Sequence, residues 1–231
     1  MILWLRSALF LLWFLLVTTI LSVIFLPVLV LPRAATIWLA RVWAHATFWG
    51  LKVFTGIHFE IRGQPPKGPV LVASKHMSMW DTLALDLALD APAIVLKREL
   101  LRIPFYGWFL WKAAAIPIDR AGGASALRKM ASAARATLAE GRPILIFPEG
   151  TRKKPGAAPD YKPGVAGLYA LSGVDCIPVA LNSGVYWTGF LKRPGTIVLQ
   201  FLEPIPPGLK RDTFMAQLQN RIETATSRLL P

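Results

Sequence analysis

Apolar and polar positions divide the chain into two regions that meet near residue 56. Residues 7–32 carry no charged side chain, and the apolar run over 7–26 is long enough for a helix of about 30 Å, which matches a bilayer core. A cleaved signal peptide has a shorter apolar stretch followed directly by a small-residue cleavage site. Here the run ends at Pro27 and Pro32, and Arg33 follows. The pattern therefore predicts an uncleaved membrane anchor.

A second helix is predicted over residues 33–55. At 100° per residue, Arg41, His45 and Lys52 fall within one narrow arc of that helix, and most of its large apolar residues lie on the other side. Basic residues beside tryptophans are typical of a helix in the headgroup layer. The alternative is a helix that packs on the domain that follows it, and both interpretations can hold together. Residues 1–55 are thus predicted to be a membrane-embedding two-helix module.

From residue 57 onward, short β-branched runs alternate with helical stretches. This alternation predicts an α/β domain over residues 56–231, with a mixed, largely parallel sheet flanked by helices. In such sheets, functional sites form outside the carboxyl ends of the strands. The predicted strands cover 57–61, 70–73, 93–96, 116–118, 144–147, 177–181 and 197–201, and the clearest helices cover 80–89, 125–140, 165–171 and 213–230.

Composition narrows the range of partners. Hydrophobic residues make up 54% of the chain and charged residues only 17%, below the quarter or so of an ordinary soluble domain, which favours contact with lipid. The net charge is +13, and no Asp or Glu precedes Glu60. Such a basic surface attracts phosphate, from nucleic acid or from an anionic bilayer. The apolar N-terminus and the absence of a recognition motif favour the bilayer and argue against nucleic acid.

His76 and Asp81 stand five residues apart around the start of the predicted helix 80–89. On one continuous helix they would be separated by about 140°, so they can meet only if His76 lies in the preceding loop. An imidazole held by a carboxylate has a fixed tautomer, and its charged form is stabilised, as the activation of an alcohol requires. The alternative is a capping box that begins at Ser78, in which Asp81 serves only the helix N-terminus.

Two further motifs place an arginine just after a predicted strand. Gly150 and Arg152 follow the fifth strand, where glycine permits a close backbone approach and the guanidinium fork suits phosphate. Asp119 and Arg120 follow the fourth strand. The alternative in each case is a turn with a surface arginine.

Two single residues also carry predictions. Pro178 lies within the predicted strand 177–181, which favours an edge strand or a bend. Cys176 is the only cysteine, so no internal disulfide can form. With no base adjacent in sequence, Cys176 is predicted to be a small apolar residue that enters a strand and not a nucleophile.

In this order, the motifs resemble those of the glycerolipid acyltransferase family, and within it the lysophosphatidate acyltransferases. That family has a His-x4-Asp block, a block ending in Asp-Arg, a Pro-Glu-Gly-Thr-Arg block and a proline-containing hydrophobic block. The matching residues are His76 and Asp81, Asp119 and Arg120, Pro148 to Arg152, and Pro178. The resemblance covers about residues 57–205, and the N-terminal helices resemble the membrane-embedding helices of the family. Two departures, Lys75 where members often have Asn, and Ala115 before Ile116, bear on acceptor and chain-length preference and not on the reaction class.

The resemblance implies transfer of a fatty acyl chain from a thioester to the free hydroxyl of lysophosphatidate, forming phosphatidate in phospholipid synthesis. His76 is expected to be the general base and Asp81 to orient it, without an acyl-enzyme. No cofactor and no metal site are expected, and the donor is acyl-coenzyme A or acyl-acyl carrier protein. The residues expected to bind and shape the acceptor and its phosphate are Arg120, Glu149, Gly150, Thr151, Arg152 and Lys162.

Two other functions and two membrane arrangements stay open at this point. The same machinery suits another lysolipid, such as a lyso-ornithine lipid, and the basic charge also suits a non-catalytic protein that binds anionic lipid. Basic residues near the apolar segment favour the cytoplasmic membrane, with the catalytic domain facing the cytoplasm. Residues 7–26 either cross fully or form a re-entrant pair with the next helix, and the resemblance favours the pair.

Overall fold

The computed structural model describes residues 1–119 and 122–231. Within these ranges, the strands are β1 (Ile57–Arg62), β2 (Leu71–Ser74), β3 (Ala93–Lys97), β4 (Ile116–Ile118), β5 (Ile144–Ile146), β6 (Cys176–Leu181), β7 (Trp187–Thr188), β8 (Leu191–Lys192) and β9 (Gly195–Phe201). The α-helices are α1 (Ile2–Ile24), α2 (Arg33–Gly50), α3 (Trp80–Ala88), α4 (Tyr106–Lys112), α5 (Gly123–Ala139), α6 (Gly164–Ser172), α7 (Ser183–Tyr186) and α8 (Arg211–Leu229). A 3₁₀ turn (Leu26–Val30) joins α1 to α2, a π turn (Leu51–Thr55) ends α2, and a second 3₁₀ turn (Arg98–Arg102) precedes α4.

Seven strands form one sheet in the order β1-β9-β6-β2-β5-β3-β4, and β7 pairs with β8 in a small hairpin. Every pairing in the large sheet is parallel except that of β6 with β9. The predicted fold class, a mixed and largely parallel sheet flanked by helices, is confirmed. The pattern of β-branched runs located all seven strands because each is a short apolar segment between turn residues.

Pro178 corrects one detail of the prediction. It lies in β6, which has neighbours on both sides, so placement on an edge strand is wrong. The pairing beside it is irregular: Val179 is opposite Phe201, but Cys176 bridges Ile205, so the chain after β9 has one extra residue there. A proline without an N–H is tolerated in an interior strand at such an interruption of the ladder.

The sheet separates two apolar cores because neighbouring residues of one strand point to opposite faces. Val72 belongs to the core beneath α1, α2 and α3, whereas Leu71 and Ala73 belong to the core beneath α5, α6 and α8. β2 is buried over its whole length, as expected for a central parallel strand. The loop that contains His76 follows the carboxyl end of this central strand.

The N-terminal helices pack on the α/β domain with one face. In α2, Ala44 and Phe48 are buried in the first core, and the Phe48 ring stacks on the fully buried Trp80 of α3 at 5.7 Å. Burying a side chain of this size contributes about 1.5–3 kcal/mol, so the contact fixes α3 against α2. The helix α1 is long and apolar enough to cross a membrane by length and composition, and most of it is not buried in the protein.

Candidate active site

His76 lies in the loop that follows β2, and Asp81 lies in the first turn of α3. The imidazole Nδ1 is 3.0 Å from Asp81 Oδ2, and the side chains are 12% and 0% exposed respectively. Because an ionised carboxylate only accepts hydrogen bonds, Nδ1 carries the proton in the neutral imidazole. The lone pair of Nε2 is then available to a substrate proton.

Asp81 also organises the loop around His76. Its Oδ2 accepts the backbone N–H groups of Met77 at 2.6 Å and Ser78 at 2.8 Å. Its Oδ1 accepts the hydroxyls of Ser78, at 3.1 Å, and of Ser183 at the start of α7. The buried carboxylate of Asp81 therefore contacts both the backbone just before the start of the helix and the imidazole of His76. It holds the loop and orients the imidazole at the same time.

The other side of the imidazole is supported by the segment after β5. The ring of Phe147 stacks on His76 with centroids 4.0 Å apart, and the backbone N–H of Lys153 donates to the carbonyl of His76 at 2.8 Å. Since β5 and β2 are neighbours in the sheet, their carboxyl ends bring these two loops together. The imidazole is thus held on a carboxylate at one nitrogen and on an aromatic ring at one face.

His76 opens onto a cavity of about 1350 Å³, far larger than the space around one side chain. Most of its wall is apolar and comes from α1, α2, β3, α4, α5 and α6. The carboxyl of Asp86 in α3 also lines this apolar wall. Burial raises its pKa to about 6, although the positive charges of Arg41 and Arg142 act to lower it. A cavity of this size and character suits a long hydrocarbon chain.

Cationic groups stand on the wall of the same cavity. Arg152 and Lys162 line it, as do Gly150 and Thr151. Gly150 adopts a left-handed conformation with φ of 63°, which turns the chain toward the cavity. Four residues predicted for the acceptor site are therefore brought together around His76, whereas Arg120 lies outside the described residues.

Lys162 and Arg152 each lie near another polar side chain. Lys162 is paired with Asp160 at 2.7 Å and remains largely exposed, with 57% of its side chain accessible. Burial raises the pKa of Tyr106 in α4. The positive charge of Arg152 lowers that pKa, but its effect is the smaller of the two. The phenol is therefore a neutral hydrogen-bond donor beside the guanidinium at any ordinary pH.

Glu149 does not line the cavity. Its side chain turns behind the loop, where Oε1 accepts a hydrogen bond from Lys75 Nζ at 3.0 Å. The same ammonium contacts both carboxylate oxygens of Glu223 in α8, at 2.8 and 3.0 Å, and Tyr161 donates to Glu223 at 2.9 Å. Burial raises the pKa of Glu149, and the neighbouring Lys75 opposes that effect. The predicted acceptor-site carboxylate is thus part of a buried ionic cluster.

Sequence reasoning missed several members of this arrangement. Lys75 was visible only as a departure from the family pattern, and Ser183 and Glu223 are far from the motifs in sequence. One available signal was the spacing in α8, where Phe214, Leu218 and Ile222 form the buried stripe. Glu223 follows that stripe directly, and a carboxylate at the margin of a core-facing stripe needs a partner.

Cys176 lies apart from the site. It begins β6 in the core beneath α6 and α8, is fully buried, and burial raises the pKa of its thiol. A thiol in this setting is a poor nucleophile.

Comparison with known proteins agrees with this geometry. A family model described as "Acyltransferase" matches residues 57–182. A 1-acyl-sn-glycerol-3-phosphate acyltransferase of Pseudomonas aeruginosa is 38% identical over 173 residues, which cover 73% of this chain and 67% of that protein. This chain belongs to the Acyltransferase family. The predicted enzyme class is confirmed, and the non-catalytic alternative is set aside.

Two further similarities bear on fold and substrate. A lyso-ornithine lipid O-acyltransferase of Pseudomonas aeruginosa is 30% identical over 200 residues, covering 77% of this chain and 76% of that protein. The crystal structure of the 1-acyl-sn-glycerophosphate acyltransferase PlsC from Thermotoga maritima matches 97% of this chain and 96% of its own, with a TM-score of 0.79 and 21% identity. The second similarity shows the fold.

Proposed function

We propose that this acyltransferase moves a fatty acyl chain from an acyl thioester onto the free hydroxyl of lysophosphatidate, forming phosphatidate. One observation carries the proposal: the carboxylate-held imidazole of His76 opens onto an apolar cavity whose wall also holds Arg152 and Lys162. The apolar wall suits fatty chains, and the cations suit a phosphate monoester of about −1.5 to −2 charge. The similarity to the Pseudomonas enzyme supports the same acceptor.

The reaction is direct transfer. His76 Nε2 takes the proton of the acceptor hydroxyl while the hydroxyl oxygen attacks the thioester carbonyl and forms a carbon–oxygen bond. The carbon–sulfur bond then breaks, and the imidazolium returns the proton to the departing thiolate. Asp81 stabilises the imidazolium between these steps, and general-base help of this kind contributes about 10²–10⁴-fold. These steps conserve protons and electrons without a metal or a redox cofactor.

The acceptor's phosphate would be held by Arg152, with Lys162 as a second cation. Arg152 offers two parallel N–H donors to a phosphate, whereas an ammonium acts as a point charge. Arg211, at the start of α8, and Lys97, at the end of β3, also line the cavity and add positive charge. Glu149 would act through Lys75, by fixing the loop from which Gly150, Thr151 and Arg152 reach the cavity.

A lyso-ornithine lipid is the second candidate acceptor, because a relative of that name matches more of this chain than the Pseudomonas phosphatidate-forming enzyme does. That acceptor has no phosphate, so it would offer the guanidinium of Arg152 a single carboxylate instead of a phosphate monoester. The cations on the cavity wall favour lysophosphatidate.

A direct assay tests the proposal and separates the two acceptors. The purified enzyme in mixed micelles receives radiolabelled acyl-coenzyme A or acyl-acyl carrier protein together with lysophosphatidate or lyso-ornithine lipid. A higher specificity constant for lysophosphatidate supports the proposal, and the more active thioester identifies the donor. A higher specificity constant for lyso-ornithine lipid would replace lysophosphatidate with that acceptor, and no transfer with either would overturn the function.

The enzyme is membrane-associated, and we assign α1 and α2 to the cytoplasmic leaflet of the inner membrane as a re-entrant pair. The α/β domain contacts α1 near its start, where Ser7 accepts the N–H of Lys192 at 2.9 Å. The same domain contacts the start of α2, where Arg33 pairs with Glu140 at 2.5 Å. Contacts at both places are expected if α1, about 34 Å long, lies along the domain instead of pointing away from it.

Labelling of an introduced cysteine tests this arrangement. Ile2→Cys is exposed, whereas the native Cys176 is buried, so a thiol reagent reports on position 2. In intact cells a membrane-impermeant reagent added from the periplasmic side should leave position 2 unlabelled, and lysed cells should label. Labelling in intact cells would show instead that α1 crosses the bilayer.

A further inference from the structure

The segment that contains α4 presents two apolar faces. Tyr106, Phe109 and Leu110 line the cavity on one face. Phe105, Trp108 and Trp111 are exposed on the other, and the Trp111 ring is 72% exposed. Within the helix, Trp108 and Trp111 are three residues apart on one side, and Tyr106, Phe109 and Leu110 lie on the other side, while Phe105 directly precedes the helix. The first face forms part of the cavity wall, whereas no described residue covers the second face.

Basic residues flank this outer face. Arg98 and Arg102 precede α4, Lys112 ends it, and Glu99 is the single acidic residue between positions 98 and 112. Tryptophans bordered by lysine and arginine are characteristic of protein surfaces at the boundary between headgroups and acyl chains. The positive flanks match a negatively charged leaflet and would repel a basic partner.

The outer face also continues an apolar surface that belongs to the membrane helices. α4 packs against both α2 and the 3₁₀ turn Leu26–Val30. In that neighbourhood Val30, Leu31 and Trp38 are exposed large apolar residues. Since α1 and α2 associate with the membrane, a bilayer that covers these residues reaches the adjoining face of α4. This continuity favours lipid over a separate protein partner.

The backbone holds α4 rigidly in that position. Gly107 lies so close to the preceding turn that a Cβ atom would come within 2.3 Å of the Leu101 carbonyl oxygen. Phe105 and Ala114, at the two ends of the helix, have φ values of 62° and 57°, a region that non-glycine residues rarely occupy. Such conformations persist only where the surrounding structure imposes them, and clusters of them mark functional elements.

We propose that α4 is a second bilayer-contacting element, whose outer face enters the interface of an anionic leaflet while its inner face forms the wall of the cavity. The helix therefore separates lipid from the cavity, and its seating in the leaflet brings the cavity level with long-chain lipid substrates. The contact itself is independent of the reaction, whereas its effect on turnover rests on the proposed function.

A probe at position 111 tests the contact without turnover. Trp111→Cys carries an environment-sensitive fluorophore, and Leu171→Cys, on the exposed side of α6 and outside the cavity wall, is the matched control. With vesicles of phosphatidylcholine and phosphatidylglycerol, the probe at 111 should shift to the blue and be quenched by spin-labelled lipid, whereas the probe at 171 should not change. A probe at 111 that stays in water while the enzyme binds the vesicles overturns the proposal.

An acyl-transfer assay tests whether the lipid contact of α4 affects turnover. The double variant Trp108→Gln/Trp111→Gln should lower transfer to a long-chain acceptor in vesicles by about tenfold, because two aromatic side chains lose their lipid contacts. Transfer to a short-chain, monomeric acceptor should be unchanged, and Leu171→Gln should alter neither rate. Equal loss with both acceptors would mean that the tryptophans support only the cavity wall, which contradicts the proposal. Absence of transfer by the unmodified enzyme would instead count against the proposed function and leave the probe result valid.

Discussion

Lys75 and Glu149 form an ion pair with a 3.0 Å contact between Nζ and Oε1, and each side chain is 1% exposed. Lys75 directly precedes His76, and Glu149 directly precedes Gly150, so the pair joins the two loops that make the site. Glu223 adds α8 to the same ammonium at 2.8 Å. Of the atoms in this cluster, Glu149 Oε2 is buried without a hydrogen-bond partner among the described residues.

The first prediction is that Lys75→Met destabilises the protein by about 3–5 kcal/mol, because the buried Glu149 and the partly exposed Glu223 then lack their shared cation. Chemical denaturation in detergent micelles measures the free energy of unfolding. Lys162→Met is the matched control: its ammonium is also paired, but exposed, so the loss should stay within about 1 kcal/mol. Adding Glu149→Gln and Glu223→Gln to Lys75→Met should restore part of the stability. A Lys75→Met protein as stable as the control would show that the cluster is not structural.

The second prediction concerns catalysis. His76→Ala should lower kcat by about 10²–10⁴-fold, as expected for removal of a general base, while binding to vesicles persists. Asp81→Asn should also lose most activity, since the amide no longer stabilises the imidazolium. Because Asp81 accepts three hydrogen bonds from the loop and one from Ser183 besides its contact with His76, its variant should also melt at a lower temperature, whereas His76→Ala should not. A His76→Ala enzyme with near-normal kcat would refute the mechanism.

The third prediction concerns the acceptor's phosphate. Arg152→Lys keeps the charge but loses the fork, so kcat/KM for lysophosphatidate should fall by about ten- to a hundredfold. The apparent affinity for the thioester donor should change much less. Arg193→Lys, an exposed arginine that is not part of the cavity wall, is the control and should behave like the unmodified enzyme. Equal losses for donor and acceptor, with a lowered melting temperature, would indicate a structural role for Arg152.

The fourth prediction uses the buried carboxyl of Asp86, whose pKa is raised from 3.8 to about 6. The folded protein keeps the proton on Asp86 up to a pH of about 6, whereas the unfolded chain releases it near 3.8. The stabilisation from this protonated carboxyl is therefore complete below a pH of about 4 and is lost as the pH rises to about 6.

Asp86→Asn cannot titrate and should remove this pH dependence. Above pH 6 the variant should be more stable than the unmodified protein by up to about 3 kcal/mol, and below pH 4 the two should be alike. Denaturation curves across that pH range measure the difference. A constant difference at every pH would mean that Asp86 is not the titrating group.

Periodicity alone located the strands and most helices, because each is specified by local spacing of apolar residues and by turn residues around it. The His76–Asp81 contact was also within reach, since a strand followed by a loop and a helix start leaves only one way for the two to meet. α4 was missed: both of its faces are apolar, so Tyr106–Lys112 has no polar stripe to reveal a helix.

Sequence by itself therefore determined the strand positions, the largely parallel character of the sheet, the order of the motifs and the pairing of an imidazole with a carboxylate five residues away. Tertiary structure alone decided that Glu149 turns away from the cavity toward Lys75, which is 74 positions away, and that Glu223, 148 positions from Lys75, completes the cluster. Such contacts depend on which strands become neighbours and on how α8 packs across them, and no local pattern encodes those distances. The cavity has the same origin, because its wall exists only after α1, α2, α4, α5 and α6 have assembled around the end of the sheet.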